Sequence, residues 1–455
     1  MLRQGEEGEA LGFASFRCLD SHQLFSRLGS AELTAFVRAQ TGGRALVISG
    51  VWVPKGPSQL DLCQLLVTEV ITLALRQEYA YALFCPADAP APCVREILGL
   101  QGFVTAQVDA GDQELLAVDM RRPIVLTRNV ETAIKAPLAS SPAVLSAVGS
   151  AHRRLQRSLT ELYPGCLVLS MSAGVIYQRL LRKIAACNGV PPQPAGILGE
   201  CICVPFGKIL RGVAVPNTVT KTLHTDKVYA PDLSSYSIES YPFYPPLPDQ
   251  VRMIRSFDRP VILVDDMLHD GKRIRRIAPL LSASGAQVRQ VLVGYLTGVG
   301  RDTMEILSCP VDSVYYLPNL RMRFVESTLY PFIGGDTVRR SEPMAGGLQP
   351  AVNRIFPYAA PDFSEDCADG STYRLSLTCL ENARDILLAL ETEYRSLYAR
   401  NLTLSRLGEA VVLPLCPDKG SCMAYDLSRA ASTYLDNDIE MLRRLQASFK
   451  IVIGG

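Results

Sequence analysis

Two adjacent carboxylates, Asp265 and Asp266, follow a short apolar run, Val261 to Val264, within Arg-Pro-Val-Ile-Leu-Val-Asp-Asp-Met-Leu-His-Asp-Gly-Lys-Arg-Ile (259–274). A β-branched, fully apolar run of this length reads as a buried strand of a parallel sheet. The carboxyl end of such a strand is where ligands bind in open α/β sheets. Beyond the acids, a turn at Gly271 leads into a basic helix start that continues through Ile277 and Leu280. A loop feeding a helix N-terminus offers unpaired backbone amides and a favourable dipole to a phosphate. Neighbouring acids beside a phosphate cradle suit a sugar diol joined to a phosphate, because carboxylates accept hydrogen bonds from the hydroxyls while the amides hold the anion.

The stretch Val-Ile-Leu-Val-Asp-Asp-Met-Leu-His-Asp-Gly-Lys-Arg-Ile resembles the phosphoribosyl-diphosphate (PRPP) motif of type I phosphoribosyltransferases, an apolar strand, two acids and a short loop ending in Thr-Gly-x-Thr/Ser. Asp270 and Arg273 stand where that motif has its phosphate-binding hydroxyls. An aspartate there repels a phosphate, whereas an arginine can hold one. The resemblance implies an α/β, doubly wound parallel sheet, with Asp265 and Asp266 on the ribose hydroxyls. It places Asp270, Gly271, Lys272 and Arg273 around the 5′-phosphate. It also implies Mg²⁺, held mainly by the ligand's diphosphate with few protein carboxylates.

Other parts of the site are expected around this motif. Cys166 to Met171 reads as another buried strand, and its small-residue loop, Ser172, Ala173, Gly174 and on to Tyr177, feeds a helix over Gln178 to Cys187 closed by Asn188-Gly189. The resemblance assigns Ser172, Ala173 and Gly174 to the diphosphate. Thr220 to Lys227 is polar and carries Lys221, His224 and Lys227; the resemblance makes it a mobile loop whose cations close over the leaving group. His269 is a candidate base toward an acceptor. Tyr236 to Pro248, rich in Tyr, Pro and Ser, is expected to be extended rather than helical. Pro318 to Asp336, with arginines, Glu326 and a Gly334-Gly335 turn, reads either as a pocket wall for an acceptor or as an irregular packing segment.

The elements that must position these residues fall into three expected domains. Residues 1–121 contain a strand (Leu46 to Val53), a helix (Gln59 to Gln77), a strand (Tyr79 to Cys85) and a helix (Pro92 to Leu100). This order, ending in Arg-Glu-Ile-Leu-Gly-Leu-Gln-Gly-Phe (95–103), resembles the later half of a GNAT acetyltransferase. Leu62 and Gln64 occupy positions where that family's acetyl-CoA turn has small residues, which implies a domain that has lost CoA binding. A boundary is expected at Met120 to Pro123, and residues 122–345 form the phosphoribosyltransferase-like domain. Its later part carries a helix to Ser284, a strand over Val288 to Leu296, a helix over Arg301 to Leu307 and a strand over Val311 to Leu317, the βαβαβ rhythm of a parallel sheet. Residues 346–455 are expected to be helical, from the spacing of Ala383, Leu387, Leu390, Tyr394 and Leu397 and of Leu427, Ala431 and Tyr434.

Composition bounds the function. A chain of 455 residues with 48% hydrophobic and 20% charged residues can bury a full core, and a net charge of +1 gives no electrostatic reason to expect nucleic acid. No run is long enough to span a bilayer and no secretory signal is visible, so a cytoplasmic protein is expected. The 13 cysteines, several inside apolar segments, read as buried free thiols, and Cys201-x-Cys203 and Cys416…Cys422 lack zinc spacing. Three functions compete: phosphoribosyl transfer to an unidentified acceptor with diphosphate release, non-catalytic binding of PRPP or a nucleotide, and N-acetyl transfer. The partner expected is a small phosphoribosyl or nucleotide ligand, without nucleic acid or membrane, and the resemblance implies a homodimer.

Overall fold

The structure, a computed structural model, describes residues 2–3, 10–20, 22–24, 26, 31–41, 44–85, 91–105, 115–210, 213–242, 244–339, 348–363, 367, 370–419 and 425–453. Cys422 lies outside these. The chain is of mixed α/β type and forms two compact units: residues 1–68, 80–171 and 321–455 make the first, and residues 69–79 and 172–320 the second. No helix among the described residues is long and apolar enough to cross a membrane.

The first unit is built on a mixed sheet. Ala10–Leu19 pairs antiparallel with Ala45–Trp52, which pairs parallel with Tyr81–Phe84; that strand pairs antiparallel with Leu116–Arg128, which in turn pairs parallel with Met322–Val325. The boundary expected at Met120 to Pro123 falls inside the continuous Leu116–Arg128 strand. The pattern breaks there because Arg121 and Arg122 are exposed in mid-strand, while Met120 and Ile124 to Leu126 are buried. Gln64 is buried and donates to Thr68 Oγ1 at 3.1 Å, as does Gln101 Nε2 at 3.1 Å. Its side chain is thus part of the packing of the Gln59–Arg76 helix.

Helices Pro142–Leu162, Ser371–Tyr398 and Ala431–Ile453 supply the rest of this core. Val144, Val148, Ala151, Leu155, Leu159 and Leu162 recur at three- and four-residue spacing on the first of these and are buried, as are Leu375, Cys379, Ala383, Leu387, Leu390 and Tyr394 on the second. Each such large side chain contributes roughly 1.5–3 kcal/mol by leaving water. The C-terminal region also holds two short strands, Gln349–Val352 and Leu415–Pro417, paired parallel.

Residues 321–336 belong to this unit, and Phe324, Leu329, Tyr330, Phe332 and Ile333 join its core, which favours the packing segment of the two readings. Glu326 is fully buried; its carboxylate lies 2.8 Å from His152 Nε2 and accepts from the Tyr330 hydroxyl at 3.1 Å. Asn382 Nδ2 donates to that hydroxyl at 3.0 Å and to the Ala151 carbonyl at 3.1 Å. Burial, then Glu326, pushes the Tyr330 hydroxyl up, so it stays a donor. The Gly334 backbone touches its neighbours so closely that an added Cβ would lie 2.3 Å from the Ser327 carbonyl.

The second unit is a parallel sheet in the order Val311–Tyr316, Val288–Leu296, Val261–Leu268, Ile202–Pro205 and Val219–Thr220. The acid-bearing strand Val261–Leu268 is central, and its apolar half is buried, as its β-branched composition requires. Helices Leu247–Arg255, Lys272–Ala283 and Gly298–Ile306 follow the connections. Leu247, Val251, Ile254, Ile274, Ile277 and Leu281 pack on Val261, Leu263, Val291 and Val293.

Candidate functional site

The acid strand runs on through the acids to Leu268, beyond the end expected at Val264. Its two flanks differ, however. On one side it stays paired with Val288–Leu296, Asp265 opposite Val293. On the other, the ladder with Ile202–Pro205 stops at Val264 opposite Pro205, and the Phe206 amide donates to the Val264 carbonyl at 2.9 Å. From Asp265 onward the strand therefore faces the loop Phe206-Gly207-Lys208.

That loop, absent from the expected site, is the one beside the acids. Gly207 has φ +122°, and an added Cβ would stand 2.8 Å from Arg273 Nη1 and 3.3 Å from Asp265 Oδ1. Lys208 Nζ lies 3.4 Å from Asp226 Oδ1, a buried carboxylate also outside the expected set. A signal was present in the sequence: Val204-Pro205-Phe206-Gly207-Lys208 follows an apolar run and joins a glycine to a cation.

Arg273 organises the centre. One of its nitrogens, Nη1, donates to both oxygens of Asp265 at 2.7 Å and lies 3.7 Å from Asp266. Asp265 Oδ1 also accepts from the Asp266 amide at 2.8 Å. Burial pushes the Asp265 carboxyl well above the usual carboxylate range; Arg273 opposes this and Asp266 adds to it. For Arg273 burial pulls downward, but Asp265 and then Asp266 outweigh it, so its charge is secured. Charged hydrogen bonds of this kind are roughly twice as strong as neutral ones. With both oxygens of Asp265 taken, the acid pair does not fit a protein-held Mg²⁺ in this arrangement, and no cluster of three metal-ligating side chains occurs among the described residues.

The loop behaves in a related way. Gly271, at φ +71°, precedes the Lys272–Ala283 helix, and an added Cβ would lie 2.6 Å from Thr303 Cγ2. Asp270 Oδ1 accepts from the Lys272 amide at 3.1 Å, and its other oxygen lies 3.6 Å from Lys272 Nζ. A carboxylate of the chain thus sits on an amide that the sequence reading gave to a phosphate. His269 is exposed, and its carbonyl accepts from Thr297 Oγ1 at 3.1 Å.

The remaining expected residues are placed differently. Thr225–Tyr229 is a strand paired antiparallel with Tyr236–Ser240, so the stretch carrying Lys227 is a hairpin arm rather than a mobile loop. Alternation of Thr225, Lys227 and Tyr229 with Asp226 and Val228 gives the strand its two faces. Lys227 Nζ lies 4.3 Å above the Tyr236 ring, and Lys272 Nζ lies 4.4 Å from the same ring. The Lys221 amide donates to the Cys203 carbonyl at 3.0 Å, continuing the short edge strand. The His224 imidazole stacks on Tyr244, with ring centroids 3.7 Å apart and planes at 21°.

Tyr236 to Pro248 is part strand, and Leu247–Arg255 is a helix with Pro248 in its first turn, where a missing amide costs nothing. Ser172 precedes a helix that begins at once, Ala173–Cys187, so the expected loop through Tyr177 is helical. This helix packs its Ile176 against Gly294 beside the Asp266 carbonyl. The strand before it is not in the acid strand's parallel sheet, where Ile202–Pro205 takes the neighbouring place.

No family model matches the chain, and no curated protein matches it. Among solved structures that match is adenine phosphoribosyltransferase from Thermoanaerobacter pseudethanolicus, at 9% identity and a TM-score of 0.20, over 37% of this chain and 99% of that one.

Proposed function

We propose that the second unit binds a ligand containing ribose 5-phosphate, PRPP or a nucleotide, and does not transfer the phosphoribosyl group. The carrying observation is the pair of internal contacts at the site. Arg273 donates to Asp265 where ribose hydroxyls would donate, and Asp270 accepts from the Lys272 amide where a phosphate would accept. The chain's own side chains thus reproduce the donor and acceptor pattern of a sugar phosphate. A ligand must displace them, which lowers affinity. In the same reading Lys227, drawn onto Tyr229 and Tyr236, is not free to follow a departing diphosphate.

A second reading, transfer to an acceptor, is favoured by the Phe206-Gly207-Lys208 loop. It brings a left-handed glycine and a lysine beside the acids, which suits a diphosphate. Mg²⁺ would then enter with the diphosphate, supplying charge neutralisation.

Calorimetry with PRPP plus Mg²⁺, with ribose 5-phosphate and with acetyl-CoA tests the proposal, together with a diphosphate-release assay over a panel of bases. Saturable binding of PRPP or ribose 5-phosphate without diphosphate release is expected. Diphosphate release selects the second reading, and binding of acetyl-CoA alone contradicts both.

A further inference from the structure

We propose that the stacked pair His224–Tyr244 is a nucleobase platform, so that the ligand of the second unit is a nucleoside 5′-phosphate rather than a bare sugar phosphate. This rests on the reading of the second unit as a ribose 5-phosphate site.

Both rings stand at the carboxyl end of the parallel sheet, where such folds bind ligands. Leu223 bridges Phe206 in parallel, extending the ladder beyond the Val219–Thr220 strand, and His224 follows it directly. Tyr244 comes three residues before Leu247, the start of the helix that runs back toward the amino end of the acid strand. The platform is therefore two strands across from Asp265, a lateral step of about 10 Å at the usual strand spacing. A nucleoside monophosphate spans that step. Lys208, from the loop after the intervening strand, is 3.4 Å from Asp226.

The platform is held in place rather than merely exposed. Gln250, itself buried, accepts from the His224 amide at 2.8 Å through Oε1 and donates to the Pro245 carbonyl at 2.7 Å through Nε2. One side chain thus clamps the backbone under both rings. The Tyr241 ring meets Tyr244 edge-on at 6.0 Å, which fixes its tilt. Tyr244 nevertheless remains 44% exposed while one face is covered by His224. A planar heteroaromatic ring can be added to the pair through the ring surface that Tyr244 leaves exposed. Because the platform is already ordered, binding loses little rotamer freedom there.

The test compares adenosine 5′-monophosphate with ribose 5-phosphate by calorimetry on the full chain. The expected result is a roughly tenfold tighter Kd for the nucleotide, in the range that one base–aromatic stack supplies. Tyr244→Ala is expected to erase that advantage and to leave ribose 5-phosphate binding unchanged, which also reports that the variant is folded. Tyr244→Phe is expected to keep the advantage. Equal affinity of the wild-type chain for the two ligands, or an advantage that persists in Tyr244→Ala, overturns the platform while the sugar phosphate reading stands. Binding of neither ligand overturns both.

Discussion

Arg273 Nη1 is 2.7 Å from each carboxylate oxygen of Asp265, at the point where the central strand leaves its ladder with Ile202–Pro205. The pair ties the helix after the acids back onto the strand that carries them, and it places a cation where a sugar is proposed to sit. Removing the arginine should therefore change binding and stability in opposite directions.

Arg273→Ala is expected to tighten ribose 5-phosphate binding about tenfold, the scale of one displaced charged hydrogen bond. It should also make stability more sensitive to pH. Asp265 is raised above its unfolded value by burial, so the folded chain holds its proton more tightly than the unfolded chain does. Stability from this group is present at low pH and is lost as pH rises through the folded value. Without Arg273 to oppose the rise, the loss should extend to higher pH and be larger. Melting temperatures between pH 4.5 and 8 for both proteins check this.

Gly271→Ala is expected to destabilise the second unit by roughly 1–2 kcal/mol from the left-handed backbone alone, with the contact on Thr303 Cγ2 adding to it. Thr303→Ser removes that methyl and keeps the hydroxyl that accepts from Arg275 at 3.0 Å. The double variant should recover part of the loss, measured by urea denaturation. Simple additivity of the two substitutions would show that the contact does not matter.

Glu326→Ala in the first unit leaves His152 and the Tyr330 hydroxyl facing an emptied buried site. Leaving buried hydrogen-bonding groups without a partner costs about 1–3 kcal/mol each. A fall of that size in denaturant stability is expected, whereas a change below about 0.5 kcal/mol, the scale of an ordinary surface substitution, would show that the contacts of Glu326 do not hold the core together.

Burial pushes the Cys203 thiol up to about 12, and burial followed by the neighbouring Cys93 pushes Cys63 up to about 12. At pH 8 their thiolate fractions are negligible, so neither is expected to react with iodoacetamide in the folded chain. Both should label once urea unfolds it. Peptide mass spectrometry distinguishes the two states.

What the sequence made legible followed from strong local pattern. Val261 to Val264 and Val288 to Leu296 are apolar enough to be central strands wherever they occur, and the buried stripe of Ser371–Tyr398 is visible in Leu387, Leu390 and Tyr394. The neighbour of the acid strand was missed because Ile202–Pro205 has only four residues and contains a proline. Strand order is a long-range property, so no local pattern could say that Phe206-Gly207-Lys208 would lie beside Asp265. Arg273 was legible as a phosphate ligand but not as a partner of Asp265. The two are eight residues apart, and only the left-handed turn at Gly271 folds the helix start back onto the strand. The segment around Glu326 read equally as pocket wall or packing, because its partner His152 comes from a distant helix that no local pattern could bring to it.

Calorimetric titration of ribose 5-phosphate into the wild-type chain and into Asp266→Asn and Asp265→Asn/Asp266→Asn variants, each checked for its native melting transition, addresses the acid pair most directly. The account predicts saturable binding to the wild type, weakening by about tenfold in the single variant and further in the double one. Affinity that is the same in all three proteins would contradict it, because the sugar would then be held somewhere other than at Asp265 and Asp266.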